Sequence, residues 1–148
     1  DSNNPNEPAD MRLLDFQFSR LGSPVSDLAY FLYGCTSKEI LDKMNIYKHL
    51  YYDTLCKHIE LLGSKPGNVY PPSVFEEHWR TYSKFGLIAS ALLVFALLSE
   101  KDEILDMVDV AEAGQEIGTV FDYEIANINE FNTRMRHIIE HFVENNLI

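Results

Sequence analysis

Residues 11–29 read MRLLDFQFSRLGSPVSDLA, and this stretch decides how the fold begins. The apolar run MRLLDF predicts a short strand that ends at Asp15 or Phe16. The segment over 17–25 contains glycine and proline, which indicates a loop. Residues 1–10 are rich in Asn, Pro and Asp, so they predict an exposed turn or hairpin loop before the strand.

The rest of the chain is predicted to be helical. Apolar residues recur three and four apart, and capping residues, glycines or prolines stand at the segment ends. The predicted helices cover residues 27–33, 36–63 with a break near Asn45, 74–99, 104–110 and 123–144. The sequence therefore predicts a mainly α fold with a small β-hairpin element at its N-terminus.

Three helix starts are predicted from side chains that cap helices. Ser26 is placed to cap the helix over 27–33. Thr36 with Glu39, and Ser73 with Glu76, have the three-residue spacing of a capping box.

The charge balance excludes some partners. The chain has 148 residues with 12 Lys and Arg against 23 Asp and Glu, a formal net charge of -11. Nucleic acid and anionic membrane surfaces attract cationic patches, so we expect neither as a partner. The two cysteines, Cys35 and Cys56, have no zinc-site spacing, and we expect two reduced thiols, although sequence leaves a disulfide open.

The most apolar run is Phe85 to Leu98. Fourteen residues are too few to span a membrane, so the run is interpreted as a buried helix. Because no targeting signal is visible, we expect a cytoplasmic protein. The first residue is Asp1 rather than Met, which indicates a piece of a longer protein.

Asp15 is the candidate metal ligand. A carboxylate at the end of an apolar strand is held rigidly, and Mg²⁺ on nucleotide phosphates takes one or two carboxylates with phosphate oxygens and water. The alternative is an ordinary turn aspartate that ends a strand.

Asp27 opens a helix twelve residues after Asp15. An aspartate at this place can accept backbone N–H groups from its own helix or from a neighbouring loop. The alternative is a helix N-terminal acid that is favoured by the helix dipole alone.

The string RLLDFQFSRLGSPVSDLAYFLY resembles the ecdysteroid kinase-like family, also called CHK kinase-like, and more distantly choline kinases and aminoglycoside phosphotransferases. Gln17 stands where protein kinases have glycine. The later strings YYDTL, VFEEHW and KFGLIASALL also resemble that family.

The resemblance implies that residues 1–148 are a partial C-terminal lobe of a protein-kinase-like fold. Asp15 would then hold Mg²⁺ on ATP, and Asp27 would be the structural aspartate that supports the catalytic loop. The family's His-Gly-Asp-x-Trp-x-x-Asn loop and its nucleotide-binding lobe do not occur in this chain, so it contains no catalytic base. We therefore expect a small alcohol as the substrate of the complete protein, and no activity from this chain alone.

The helical half is also where the resemblance places the phosphate acceptor, such as an ecdysteroid-like alcohol. Trp79 and Tyr82, three residues apart, are the candidate substrate-binding pair, although aromatic residues at helical spacing also form cores. The five histidines have no Gly-Asp context and are interpreted as surface or core residues.

Two other functions stay open at this point, namely a non-catalytic acidic helical interaction module and a pseudokinase. A kinase lobe without its other half would expose an apolar face. We therefore expect the isolated chain to self-associate.

Overall fold

The computed structural model describes residues 10–12, 19–100, 112, 114 and 123–148. Within these ranges the chain is mainly α, as predicted, and no strand occurs. The predicted N-terminal strand and the short helix over 104–110 lie outside the described residues. The helices are α1 (Pro24–Cys35), α2 (Lys38–Asp42), α3 (Met44–Leu61), α4 (Pro66–Val69), α5 (Pro72–Leu98) and α6 (Ile128–Glu144).

The core is organised by the crossing of α1 over α5. The inner face of α5 carries small side chains at the crossing: Ser83, Gly86 and Ser90 are buried. A Cβ atom on Gly86 would lie 2.7 Å from the carbonyl oxygen of Ala29 in α1. The two helix backbones therefore approach so closely that only glycine fits at this position.

Aromatic side chains fill the core on both sides of the crossing. Tyr33 of α1 is fully buried and its ring lies 4.6 Å from that of Phe142 in α6 and 6.2 Å from that of Trp79 in α5. Each large ring buries about 150–250 Å² of surface, so three packed rings supply much of the apolar burial that holds the helices together.

Helix α6 is attached to the C-terminal ends of both α1 and α5. Arg134 donates hydrogen bonds of 3.3 Å to the carbonyl oxygens of Gly34 and Thr36, at the end of α1. Asn127, just before α6, donates one of 2.9 Å to the carbonyl oxygen of Leu98, the last residue of α5. These bonds satisfy carbonyl groups that helix ends leave unpaired.

Helix α3 packs beside α5 through a buried cation. Lys48 is 5 % exposed. Its ammonium group lies 2.8 Å from a carboxylate oxygen of Glu76 and 4.9 Å from the ring centre of Trp79. The ion pair and the cation–π contact together replace the water that this ammonium group loses on burial.

The structure corrects four predicted helix starts. Helix α1 begins at Pro24, because Ser23, and not Ser26, accepts the Val25 N–H as N-cap. Thr36 donates its hydroxyl to the carbonyl oxygen of Leu32 instead of capping α2.

Similarly, α5 begins at Pro72 after Pro71, and Glu76 binds Lys48 instead of closing a capping box with Ser73. Helix α6 begins at Ile128, five residues later than predicted. The predicted break near Asn45 is confirmed, since α2 ends at Asp42 and α3 begins at Met44.

The expectation that Phe85 to Leu98 is a buried helix holds for only one face of α5. The outer face is open, with Phe85, Ile88, Leu92 and Leu97 at least half exposed. Helix α5 as a whole is long and apolar enough to cross a membrane by length and composition, with mean hydropathy 1.7, a test that core helices also meet. Both cysteines are unpaired.

Candidate functional site

Helix α1 is the first described helix after the predicted metal ligand. Asp15 itself lies outside the described residues, so its metal-binding role stays a prediction. The chain enters α1 through Ser23, four residues before Asp27. The candidate site is therefore described from the α1 side.

Asp27 lies in the first turn of α1 with its side chain exposed. No described residue donates a hydrogen bond to its carboxylate. Burial raises the pKa of the Tyr51 phenol on α3, and the negative charge of Asp27 raises it further. The Asp27 side chain is thus near enough to Tyr51 to act on its phenol, and it is exposed to accept donors from another segment.

A polar cluster, which we call the hydroxyl–imidazole cluster, joins Ser23, Tyr70 and His78 beside this turn. The Nδ1 atom of His78 lies 2.9 Å from Ser23 Oγ and 2.9 Å from the Tyr70 hydroxyl. Burial raises the pKa of the Tyr70 phenol, and a hydrogen bond from Ser23 acts in the opposite direction. Three polar groups that are distant in sequence therefore meet at the entrance to α1.

The directions of these bonds follow from the number of protons. Ser23 Oγ accepts the Val25 N–H at 3.2 Å, and its own proton can be donated to the Tyr70 oxygen. The Tyr70 proton can then be donated to the single lone pair of His78 Nδ1. Each hydroxyl proton in this series of hydrogen bonds has an acceptor, so both hydroxyl groups are paired when Nδ1 of His78 carries a lone pair.

The cluster does not have the arrangement of a nucleophile and its base. A serine nucleophile needs a histidine that is oriented by a third group and an oxygen free to attack. Ser23 Oγ is already held by the helix N-cap bond. Among the described residues, no carboxylate forms a hydrogen bond with His78. The geometry of the hydroxyl–imidazole cluster fits a structural connection between α1, the Tyr70 segment and α5.

The predicted substrate-binding pair is divided between the core and the surface. Trp79 is 3 % exposed and packs against Tyr33 and Phe75. Tyr82 is 42 % exposed and its ring lies edge-on against His78, with 5.1 Å between ring centres. Substrate binding by this pair stays a prediction.

An exposed apolar stripe begins beside Asp27 and follows the outer face of α5. Tyr30, three residues after Asp27, stacks on Phe85 with 6.1 Å between ring centres. The stripe continues along α5 and consists of Tyr30, Phe85, Ile88 and Leu92, each at least 41 % exposed. Sequence reasoning missed this stripe as an exposed surface because its periodicity is that of a core helix.

In the part of the chain that the structure describes, no three His, Cys, Asp or Glu side chains form a group that could hold a metal ion. Magnesium on a nucleotide does not need such a group, since phosphate oxygens and water supply most of its ligands.

Comparison with known proteins gives one match. Residues 1–64 match the model of the Ecdysteroid kinase-like family. The matched range contains Asp15, Ser23 and Asp27, and it ends before α4. No curated protein and no solved structure matches the sequence.

Proposed function

We propose, with the match of residues 1–64 to the ecdysteroid kinase-like family as the premise, that this chain is the C-terminal portion of a kinase-like phosphotransferase. The complete protein transfers the γ-phosphoryl group of ATP to a small alcohol such as an ecdysteroid. The single observation that supports this proposal is the family match itself, because it covers both aspartates that the chemistry needs.

Asp15 is proposed to hold Mg²⁺ on the ATP phosphates. The ion, when bound, neutralises the charge that develops on the transferred phosphoryl group. The part played by this chain is to supply one carboxylate ligand. The catalytic base would come from the family's catalytic loop, and the lysine that contacts phosphate from its nucleotide-binding lobe.

Asp27 is proposed to hold the catalytic loop by accepting its backbone N–H groups. The observation that supports this role is the exposed carboxylate with no donor among the described residues. Phosphoryl transfer depends on positioning and on electrostatic stabilisation, so a loop held in one place contributes directly to the rate.

The acceptor is proposed to bind on this helical half, with Tyr82 as a contact and Trp79 as the residue that supports it from the core. We place the protein in the cytoplasm. Neither nucleic acid nor a membrane is proposed as a partner, in keeping with the net charge of -11.

The decisive experiment is the Asp15→Ala variant of the complete protein. We expect its phosphotransfer rate to fall, because the transition state loses several kcal/mol of stabilisation, the order expected when a metal ligand is removed. Asp10→Asn is the matched control, because Asp10 is an exposed carboxylate five residues away whose ion pair among the described residues is with Arg12. An unchanged rate in Asp15→Ala would refute the proposal. The 148-residue chain alone is expected to show no kinase activity.

A second candidate function, a non-catalytic interaction module, is favoured by the exposed apolar stripe. Under this function, Asp15→Ala would leave the complete protein's affinity for Mg²⁺ and ATP unchanged. The two functions are therefore separated by the same variant.

A further inference from the structure

We infer that His78 is a positioning residue of the proposed phosphoryl-transfer site: through Tyr70 and Ser23 it fixes the first turn of α1, and thereby the direction of the Asp27 carboxylate. This inference rests on the proposed function. His78 lies outside the range that matches the family, in α5, 55 residues from Ser23.

The first step is the double role of Ser23. Its Oγ accepts the Val25 N–H and so starts α1, and the same atom lies 2.9 Å from His78 Nδ1. A residue that caps a helix sets where its first turn begins. Because Ser23 donates to Tyr70 and Tyr70 donates to His78, the cap is connected to α5 through two hydrogen bonds, and the start of α1 is fixed relative to α5.

The second step is the support behind Tyr70. Its carbonyl oxygen accepts a 2.7 Å hydrogen bond from the hydroxyl of Tyr52 on α3. Its ring lies 6.2 Å from that of the buried Phe75, and its hydroxyl lies 2.9 Å from His78. The hydroxyl that meets the imidazole is therefore carried by a segment that is itself fastened to α3 and α5.

The third step is the distance from the cluster to Asp27. Residues four apart on a helix lie on one face, so Asp27 stands one turn above Ser23. A carboxylate that must accept backbone N–H groups from a loop has to point in one direction. Loss of the connection at Ser23 would let the first turn of α1 fray, and the Asp27 carboxylate would then adopt a wider range of orientations.

The test compares His78→Leu with His78→Asn in the complete protein. Leucine removes the acceptor, whereas the amide oxygen of asparagine can take the place of Nδ1. The measurement is the Mg²⁺ concentration that gives half-saturation of binding for a non-hydrolysable ATP analogue. We expect His78→Leu to raise it about ten-fold, since small misplacements of positioning groups have effects of this order or larger. His78→Asn should restore it to within about two-fold.

Arg134→Leu is the matched control, because it removes hydrogen bonds at the opposite end of the same helix. It should lower the unfolding temperature about as much as His78→Leu and leave the Mg²⁺ dependence unchanged. If His78→Leu does not fold, Tyr70→Phe removes a single hydroxyl and should raise the half-saturating concentration roughly three-fold, the effect of one neutral hydrogen bond.

The outcomes separate the inference from the proposed function. If Asp15→Ala abolishes the Mg²⁺ dependence and His78→Leu leaves it unchanged, the proposed function stands and the inference is overturned. Equal effects of His78→Leu and Arg134→Leu would also overturn it, because they would reveal a purely structural role. If Asp15→Ala has no effect, the proposed function fails, and the inference fails with it.

Discussion

Gly86 of α5 and Ala29 of α1 lie in backbone contact, so that a Cβ atom on Gly86 would stand 2.7 Å from the Ala29 carbonyl oxygen. The neighbouring atom is backbone and cannot rotate away. We therefore expect Gly86→Ala to lower the free energy of unfolding by about 1–3 kcal/mol, measured by urea denaturation. Gly67→Ala is the control, because no atom lies within 4 Å of its added methyl group. Equal stability of the two variants would contradict the close crossing.

Removal of the hydroxyl group is expected to change the free energy of unfolding in opposite directions at Tyr33 and at Tyr52. The Tyr33 hydroxyl is buried without a partner among the described residues, and burial raises its pKa, so it stays protonated. Tyr33→Phe should therefore raise the free energy of unfolding by about 1 kcal/mol. Tyr52→Phe should lower it by about 1 kcal/mol, because that hydroxyl donates to the carbonyl oxygen of Tyr70. A loss of stability in Tyr33→Phe would indicate a hydrogen bond to that hydroxyl.

The Lys48–Glu76 ion pair should be asymmetric, because the Lys48 side chain is 7 % exposed and that of Glu76 is 46 % exposed. Glu76→Ala leaves a buried ammonium group and should lower the free energy of unfolding by about 2 kcal/mol. Lys48→Met leaves a carboxylate that water can reach, so we expect a loss of no more than about 1 kcal/mol.

Glu39→Ala breaks an exposed pair with Lys43 and serves as the control for these two variants. Its effect should stay below about 0.5 kcal/mol. Thermal or chemical unfolding under the same conditions ranks the three variants by their loss of stability. A larger loss in Lys48→Met than in Glu76→Ala would contradict the burial of the lysine.

His141 should make the fold less stable in acid. Burial lowers its pKa below the usual 6.5, and the charges of Glu144 and Asp42 act in the opposite direction. Since the folded-state pKa is below the unfolded one, the contribution to stability is complete above about 6.5 and is lost as the pH falls through the folded pKa. The unfolding midpoint should therefore fall less between pH ~7.5 and ~5.5 in His141→Gln than in the unchanged protein. A parallel fall in both proteins would show that other groups are responsible.

The exposed apolar stripe predicts that the 148-residue chain associates with a second copy of itself. Contiguous apolar surface of this kind promotes association, whereas a net charge of -11 opposes it. Light scattering should give a mass that rises with protein concentration, and more strongly at high salt because the repulsion is screened.

Ile88→Glu should return the chain to a monomer. Ile46→Glu is the control, since Ile46 is 64 % exposed on α3 and Ile88 is 68 % exposed on α5. A monomeric unchanged chain at all concentrations would be evidence against an uncovered interface.

The helices with strong periodicity could be predicted from the sequence, while most of their starts could not. The spacing of apolar residues predicts α3, α5 and α6 because each buries one face. The sequence places the start of α1 too late, because Pro24 has the pattern of a loop residue although proline is favoured in the first helical turn. Glu76 was assigned to a capping box, but its carboxylate is taken by Lys48 from another helix, and local sequence cannot reveal such a tertiary partner.

The sequence predicts only those features of the candidate site that depend on residues close together in the chain. Asp27 at a helix start follows from local sequence. The meeting of Ser23 with His78 does not, because a separation of 55 residues carries no periodic signal. Likewise, an apolar helix pattern predicts which residues are hydrophobic, but it does not tell which of two faces another element covers.

Helix α1 is clamped at three points: by His78 and Tyr70 at its start, by Gly86 in its middle, and by Arg134 at its end. The backbone of α1 therefore loses its conformational freedom when these helices fold. Under the proposed function, a loop that docks on Asp27 would meet an acceptor whose direction is already set, so only the loop's own freedom would be lost on assembly. The packed helices would then act as a template that orders the rest of the proposed active site.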